Sequence, residues 1–490
     1  MMNHLKRFLL LFCLAPTLTH AQMPRPEDFH QTYALKKVVM VGRHGVRSAS
    51  LSKGERRITP HQWHRWDVGA GKLTERGKLL EEQMGIFFRE WIDSEHLFNS
   101  SSTISNHSLI YANSVERTVN TGQHFIHGFA PKEPLEVAYN QSIDFDSMDP
   151  IFNNVSHRST GIFKQKVDAE ASYGAGEKGL QEVFTLLEQD AAVLSDVLDM
   201  PISPACTQGD TCSFHFENAK VYLHYNWMPR ITAGNVYLAQ LAASNLILQY
   251  YDMPESEGTI FGHPVTTEEL MAIGRIKEIW CKYAMGFPSV GQDAAHLLLE
   301  KLNDVICDST LQFVYLVGHD SNMASLAGAL DMLPYTLSDT PECHTPLGGK
   351  IVMEIWKDTS GKEFVSLNYV YQNLRQILDI QPLSLSNPPM VHPLFLKGVK
   401  TNADGLYPMD DFMNRLSAAL DSYGHLNEYT PYDVNLDRNV DMLDAVDIVR
   451  HISDKPCPFF IESVADCNKD NIIDIDDVIN FVEHVSTIIH

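Results

Sequence analysis

Short continuous apolar runs punctuate a chain whose remaining segments alternate apolar and polar positions. Val38-Val39-Met40-Val41 and Phe313-Val314-Tyr315-Leu316-Val317 are built from β-branched, aromatic and aliphatic residues. Runs of this length suit strands buried on both faces of a parallel sheet. Ser108-Leu109-Ile110-Tyr111 reads as a further strand. Lys178 to Leu198 and Asn235 to Tyr251 carry apolar residues at helical spacing. In the second of these, Tyr237, Leu238, Leu241, Ala242, Asn245, Leu246 and Leu248 are expected to line a face turned to the sheet. Two helix-like stretches near the end, Ala445 to Arg450 and Val478 to Val482, stand apart from this set. The pattern predicts an α/β domain with a helix-flanked, mainly parallel sheet and a helical cap insertion, followed by a small all-α module.

The residues directly after two of the strands carry the chemistry. Arg43-His44-Gly45-Val46-Arg47 follows the first apolar run, and Gly318-His319-Asp320 follows the run at Phe313. Open α/β sheets bind ligands beyond the carboxyl ends of their strands, which is where both motifs fall. Guanidinium groups match phosphate oxygens with paired hydrogen bonds, so Arg43 and Arg47 suit a doubly charged phosphomonoester. Their positive field lowers the pKa of His44, leaving a neutral imidazole able to attack phosphorus. Asp320 would supply the proton that the departing alkoxide needs. Adjacent arginines disfavour a catalytic metal ion, and the H-E-x-x-H and G-x-x-x-x-G-K-[ST] patterns are absent. No cofactor is expected for catalysis.

With its distant H-D, the R-H-G-x-R motif resembles the histidine acid phosphatases, branch 2 of the histidine phosphatase superfamily. The resemblance runs from about Lys36 to about Ser422. It is carried also by Trp66-Asp67-Val68, Leu73-Thr74-Glu75-Arg76-Gly77, Tyr111-Ala112-Asn113-Ser114-Val115-Glu116-Arg117-Thr118 and Met148-Asp149-Pro150-Ile151-Phe152-Asn153. Gly318-His319-Asp320-Ser321-Asn322, Thr345-Pro346-Leu347-Gly348-Gly349-Lys350 and Tyr407-Pro408-Met409-Asp410 continue the match. The glucose-1-phosphatase and phytase members are the most similar. The resemblance implies a small-molecule phosphate ester as substrate, either a sugar phosphate such as glucose 1-phosphate or an inositol phosphate such as phytate. It implies that His44 forms a phosphohistidine and that Asp320 is the proton donor. Arg43, Arg47, Arg117 and His319 would hold the phosphoryl group; only the resemblance picks out Arg117. One departure is that many relatives continue R-H-G-x-R-x-P, where this chain has Arg47-Ser48-Ala49. The rival readings are a catalytically idle scaffold- or surface-binding protein on a phosphatase fold, and a phosphoryl mutase.

The far end repeats one pattern twice, 33 residues apart. Oxygen ligands fall at positions 1, 3, 5, 9 and 12 of each loop: Asp433, Asn435, Asp437, Asp441 and Asp444, then Asp466, Asn468, Asp470, Asp474 and Asp477. Asn439 and Ile472, at position 7, would offer backbone carbonyls, as in an EF-hand calcium loop. The usual glycine at position 6 is replaced by Arg438 and Asn471. Aspartate at position 12 resembles the dockerin repeats of bacterial secreted enzymes, which implies two structural Ca2+ ions and a cohesin-like or scaffold protein as partner. From Pro431 to His490 there are 13 acids against 4 bases, a repulsion that bound cations would relieve.

Length and composition fit two working parts. The 490 residues, 44% hydrophobic, support substantial cores. Lys6 and Arg7, the apolar stretch Phe8 to Ala15, and Thr19-His20-Ala21 read as a secretory signal peptide over residues 1–21. Residues 22–424 would then be the phosphatase domain, its cap at roughly 150–270, and residues 428–490 the dockerin-like domain. The protein is expected to be exported, periplasmic or extracellular, with no membrane span. A net charge of −24 argues against nucleic acid as a partner. It does not argue against phosphate esters, because charges beyond ~8 Å are screened while the arginines act at contact. Cys206 with Cys212 and Cys457 with Cys467 are candidate disulfides; the sequence leaves the pairing open. Catalytic and calcium residues share no segment, so the two ends are expected to act independently.

Overall fold

The structure is a computed structural model that describes Met23 and residues 25–98, 104–175, 179–253 and 258–488. The signal peptide expected over residues 1–21 lies outside the described residues. An eight-stranded sheet organises the first part of the chain. Its strands are β1 (Tyr33–Arg43), β2 (Ser108–Ala112), β3 (Val137–Tyr139), β4 (Phe313–Gly318), β5 (Lys350–Asp358), β6 (Glu363–Tyr371), β7 (Met390–Pro393) and β8 (Tyr407–Pro408). They lie in the order β7-β6-β5-β1-β4-β2-β3, with β8 paired to β6.

Continuous apolar runs are required because both faces are covered. Alternate side chains of a strand point to opposite faces. Val38 and Met40, with Phe313 and Tyr315, meet Phe87, Phe88, Trp91, Phe125 and Phe129. Those aromatics come from helices Glu75–Ser94 and Glu116–Phe129. Val39 and Val41, with Val314 and Leu316, meet Leu298, Leu302, Leu326, Phe412 and Leu416 on the other face. All four residues from Val38 to Val41 are 0% exposed, and burying each such side chain contributes about 1.5–3 kcal/mol.

The sheet is mixed rather than mainly parallel, which corrects the sequence expectation. β1 pairs parallel with β4, β4 with β2, and β2 with β3; the pairs made by β5, β6, β7 and β8 are antiparallel. For the β5–β6 pair the reason is connection length. Only residues 359–362 separate β5 from β6, whereas a parallel neighbour needs a crossover of about a dozen residues or more. Gly361, at φ 93°, takes the left-handed position in that turn.

The cap is helical, with Gly161–Gly174, Leu180–Leu186, Glu188–Val197 and Val236–Asp252 as its main elements. The expected sheet-facing stripe on Val236–Asp252 is corrected. Ala242, Asn245, Leu246 and Leu248 are buried, but Tyr237 is exposed and Leu238 and Leu241 are only half-buried. Ala239, Ala243, Ile247 and Tyr251 are buried as well. The helix packs into a core made by other cap elements, Ile58, Trp63 and Trp66 together with Leu80, Leu347 and Ile377 of the sheet domain. Cys206 and Cys212 form a disulfide within the cap, Cα–Cα 4.4 Å.

The C-terminal part has its own small core, in which Val434, Ala445, Ile448, Ala465, Phe481 and Val485 meet. Cys457 and Cys467 are separate thiols there, which corrects the suggested staple. This part is fastened to the rest of the chain. Tyr173 Oη donates to the Asn435 carbonyl at 2.9 Å, and Arg438 pairs with Asp331 at 3.2 Å and Glu170 at 3.6 Å. Leu426, in the link, is buried against Phe163, Val167 and Phe287. Among the described residues no helix is long and apolar enough to cross a membrane.

Candidate active site and C-terminal loops

Parallel pairing sets Arg43 beside Gly318, so β1 and β4 deliver both motifs to one edge of the sheet. The segments are sewn together there by main-chain hydrogen bonds. His44 N donates to Gly318 O (3.0 Å), Asn113 N to Val317 O (3.0 Å), Gly348 N to His44 O (3.1 Å) and Arg43 N to Gly349 O (2.9 Å). The helix Glu75–Ser94 starts against the first motif: Thr74 caps it and donates its own N–H to Val46 O at 3.0 Å. A Cβ on Gly77 would lie 2.2 Å from that same oxygen, so only glycine fits.

His44 is 3% exposed, and its Nδ1 lies 2.9 Å from Gly45 O. A carbonyl only accepts, so Nδ1 carries the proton and Nε2 keeps its lone pair. Burial, then the charges of Arg117 and Arg43, hold the His44 pKa well below the ordinary histidine value. The His44 and His319 rings are 5.5 Å apart. Asn113 Oδ1 accepts from Asp149 N, which turns the amide so that Nδ2 donates to His319 Nε2 at 2.6 Å. The His319 proton therefore sits on Nδ1. The 3.4 Å approach of Arg117 Nη2 to that nitrogen is a contact between two donors, both turned to the place of a phosphate oxygen rather than to each other. Burial and Arg117 push the His319 pKa down to about 3.

All three predicted arginines converge on this point. Arg43 is 3% exposed; its Nη1 donates to Glu342 Oε1 and Thr345 O, both at 2.6 Å. Its Nη2 is 3.3 Å from Asp320 Oδ2. Arg47 Nη1 donates to Ser48 O at 2.8 Å, and burial together with Arg117 and Arg43 lowers its pKa to about 10. Arg117, in the first turn of Glu116–Phe129, is lowered by burial and by Arg43. Glu342 and Asp320 hold Arg43 charged, whereas Arg47 and Arg117 are lowered by burial and by neighbouring guanidiniums. That side of the pocket is therefore short of negative charge, which a phosphate dianion supplies. The proline absent after Arg47 is compensated: Ser48 is fully buried, its Oγ donates to Gly69 O (2.6 Å) and its N–H to Lys72 O (2.9 Å).

Asp320 begins the helix Asp320–Ala329, its side chain 22% exposed. Burial alone would raise its carboxyl, but the charges of Arg43 and Lys277 prevail and hold it well below the ordinary carboxylate range. Sequence reading missed Lys277 and Glu342. Lys277 Nζ lies 2.9 Å from Glu342 and 3.5 Å from Asp320. Glu278, beside it, accepts from His344 N and Thr345 N, holding the loop whose carbonyl receives Arg43. No local spacing marks these residues, because Lys277 and Glu278 sit on a cap helix (Thr267–Trp280) that reads as amphipathic.

The two C-terminal loops share one hydrogen-bonding scheme. In the first, Asp444 accepts from Asn435 N (3.4 Å) and Asp441 N (2.9 Å), and Asp433 accepts from Arg438 N (3.2 Å). In the second, Asp477 accepts from Asn468 N (3.2 Å) and Asp474 N (3.0 Å), and Asp466 accepts from Asn471 N (2.9 Å). Asp437 and Asp470 likewise accept from the position-7 amides of Asn439 and Ile472, both at 2.8 Å. Arg438 and Asn471 take φ 71° and 68° where glycine is usual, so the sharp turn is kept. Asp433 is 2% exposed, and its Oδ1 is buried with no hydrogen-bond partner.

Comparison with known proteins finds relatives along most of the chain. A family model for the histidine phosphatase superfamily (branch 2) matches residues 34–173. The chain is 30% identical over 422 residues to glucose-1-phosphatase of Salmonella typhimurium, covering 85% of this chain and all of that one. It is 29% identical over 435 residues to the phytase AppA of Escherichia coli, covering 84% of this chain and 96% of that one. The solved phytase of Hafnia alvei superposes with a TM-score of 0.71 at 27% identity, covering 81% of this chain and 99% of that one. The convergence of two strand-end motifs on a buried neutral imidazole among arginines, and relatives matched over their full length, lead to one conclusion: the chain belongs to branch 2 of the histidine phosphatase superfamily and is a histidine acid phosphatase, a phosphomonoester hydrolase.

Proposed function

We propose that the protein is an exported acid phosphatase whose His44 Nε2 attacks the phosphorus of a sugar phosphate such as glucose 1-phosphate or an inositol phosphate such as phytate. The observation that carries this reading is the buried, neutral His44 with its Nδ1 proton tied to Gly45 O. The P–O bond to the alcohol breaks as the N–P bond forms, and Asp320 gives its proton to the leaving alkoxide. Water then attacks the phosphohistidine, and the Asp320 carboxylate takes a proton from that water. Arg43, Arg47, Arg117 and the Nδ1–H of His319 hold the three remaining oxygens throughout. Relatives bearing the names glucose-1-phosphatase and phytase support both substrate classes. Initial rates on a panel of phosphate esters test the choice; release of glucose phosphate isomers rather than inorganic phosphate would instead reveal a mutase, and no turnover an idle binding protein.

An acidic optimum follows from the charges. Arg43 and Lys277 favour the carboxylate of Asp320 in the free enzyme, and the incoming phosphate dianion opposes them, raising its pKa in the complex. His44 and His319 stay neutral in mild acid, because both pKa values are depressed. The requirement for protonated Asp320 therefore governs the alkaline side. We expect kcat for an alkyl phosphate to fall as pH rises past neutrality, and a rate that peaks well above pH 7 would contradict the assignment.

The C-terminal module is proposed to bind two Ca2+ ions through Asp433, Asn435, Asp437, Asn439, Asp441 and Asp444, and through Asp466, Asn468, Asp470, Ile472, Asp474 and Asp477. The buried, unpartnered Asp433 Oδ1 supports this, since an orphaned carboxylate oxygen is costly without a cation. The repeat also places exposed Met442, Val446 and Val449 in correspondence with exposed Ile475, Ile479 and Val482. These paired apolar faces support a scaffold protein as partner. Ca2+ is expected to raise the unfolding temperature of the full-length protein, and Asp444→Ala and Asp477→Ala should each remove one bound ion by calorimetry. Chelator should leave ester hydrolysis intact; loss of activity on chelation would tie calcium to catalysis and overturn the separation of roles.

A further inference from the structure

Three side chains from separate segments meet away from the phosphate pocket. His61 lies in the stretch that follows the Arg43–Arg47 motif, Asp199 follows the cap helix Glu188–Val197, and His263 sits in the hairpin pairing Thr259–Ile260 with His263–Pro264. His61 Nε2 is 2.6 Å from Asp199 Oδ2, and His263 Nε2 is 3.3 Å from the same oxygen. The two imidazole centroids are 5.6 Å apart. One ligand atom from each residue falls within a 4.8 Å span.

Both imidazoles reach one carboxylate oxygen through Nε2, so three ligand-type atoms from separate segments face a common point. His61 is stacked on Phe261 with centroids 4.9 Å apart, and Trp63 meets Phe261 edge-on at 5.5 Å, so the ring is backed by an aromatic wall. Bonds of about 2.0–2.1 Å in a tetrahedral site put ligand atoms about 3.3 Å apart. The His263 pair is already at that spacing, and the His61 pair must open by less than about 1 Å. His61, Asp199 and His263 are all partly exposed, which gives the side chains room to adjust and a water room to enter. Among the described residues the other cluster of this kind, Glu278, Cys343 and His344, is less suited, because the Glu278 oxygens already accept from two main-chain N–H groups.

We propose that His61, Asp199 and His263 form a site for a divalent transition-metal ion of the zinc, copper and nickel class, with water completing the shell. Two imidazoles and a carboxylate suit these ions better than calcium or magnesium. The ion would fasten the segment after Arg47 to two cap elements, so its effect is on the stability of the cap. The test uses the full-length protein in saturating Ca2+, titrated with Co2+ and Zn2+. The expected result is about one Co2+ bound with visible d–d bands and no thiolate charge-transfer band, and an unfolding temperature raised by Zn2+. His61→Gln and His263→Gln keep a donor for Asp199, and each should weaken Zn2+ binding at least about tenfold. Both should lose the thermal shift while hydrolysing a phosphate ester at the parent rate without added metal. A thiolate band, equal affinity in the variants, or absence of binding would each overturn the site.

Discussion

His44→Ala is expected to lower kcat by about 10⁵–10⁶-fold, the scale on which loss of a covalent nucleophile acts. The neighbourhood explains why nothing replaces it. His319, the other imidazole in the pocket, has Nε2 engaged by Asn113, and its Nδ1 carries the proton. It therefore has no lone pair free for phosphorus. Rapid acid quench with ³²P-labelled ester should trap label on the parent protein and none on the variant. The variant should still bind inorganic phosphate, because Arg43 is held by Glu342 and Thr345 rather than by His44. Label persisting at the parent level in a folded variant would move the nucleophile elsewhere.

Asp320→Asn is the second large effect, and its signature is selectivity among leaving groups. A general acid contributes about 10²–10⁴-fold where the leaving group needs a proton. Alkyl phosphates, whose alkoxides are strong bases, should lose that much, while aryl esters with acidic phenols should lose far less. The substitution also removes a negative charge from beside Arg43 and Lys277. Phosphate affinity should consequently hold or rise, which separates loss of the proton from collapse of the pocket. An equal loss across both ester classes would contradict the role of proton donor.

What could be read from the chain alone was local and strongly patterned. Val38–Val41 and Phe313–Val317 announced central strands because burial on both faces forces unbroken apolar runs. Arg43, His44, Arg47, His319 and Asp320 were legible because strand ends place functional residues at fixed spacing, and the 33-residue repeat exposed the C-terminal loops in the same way. Arg117 needed a family resemblance, since one arginine in a helix's first turn carries no local mark.

Tertiary structure decided the rest. The antiparallel β5–β6 pair follows from a four-residue connection, and the helix Val236–Asp252 buries itself in a core that cap elements share with Leu80, Leu347 and Ile377. Lys277, Glu278 and Glu342 shape the field around Arg43 and Asp320 although 234 residues separate Arg43 from Lys277 in the chain. The same holds for His61, Asp199 and His263, and for Arg438 reaching Asp331 and Glu170. Periodicity and spacing report what a segment buries or presents along its own length. Electrostatics and coordination depend on distance through space, which only the folded chain sets.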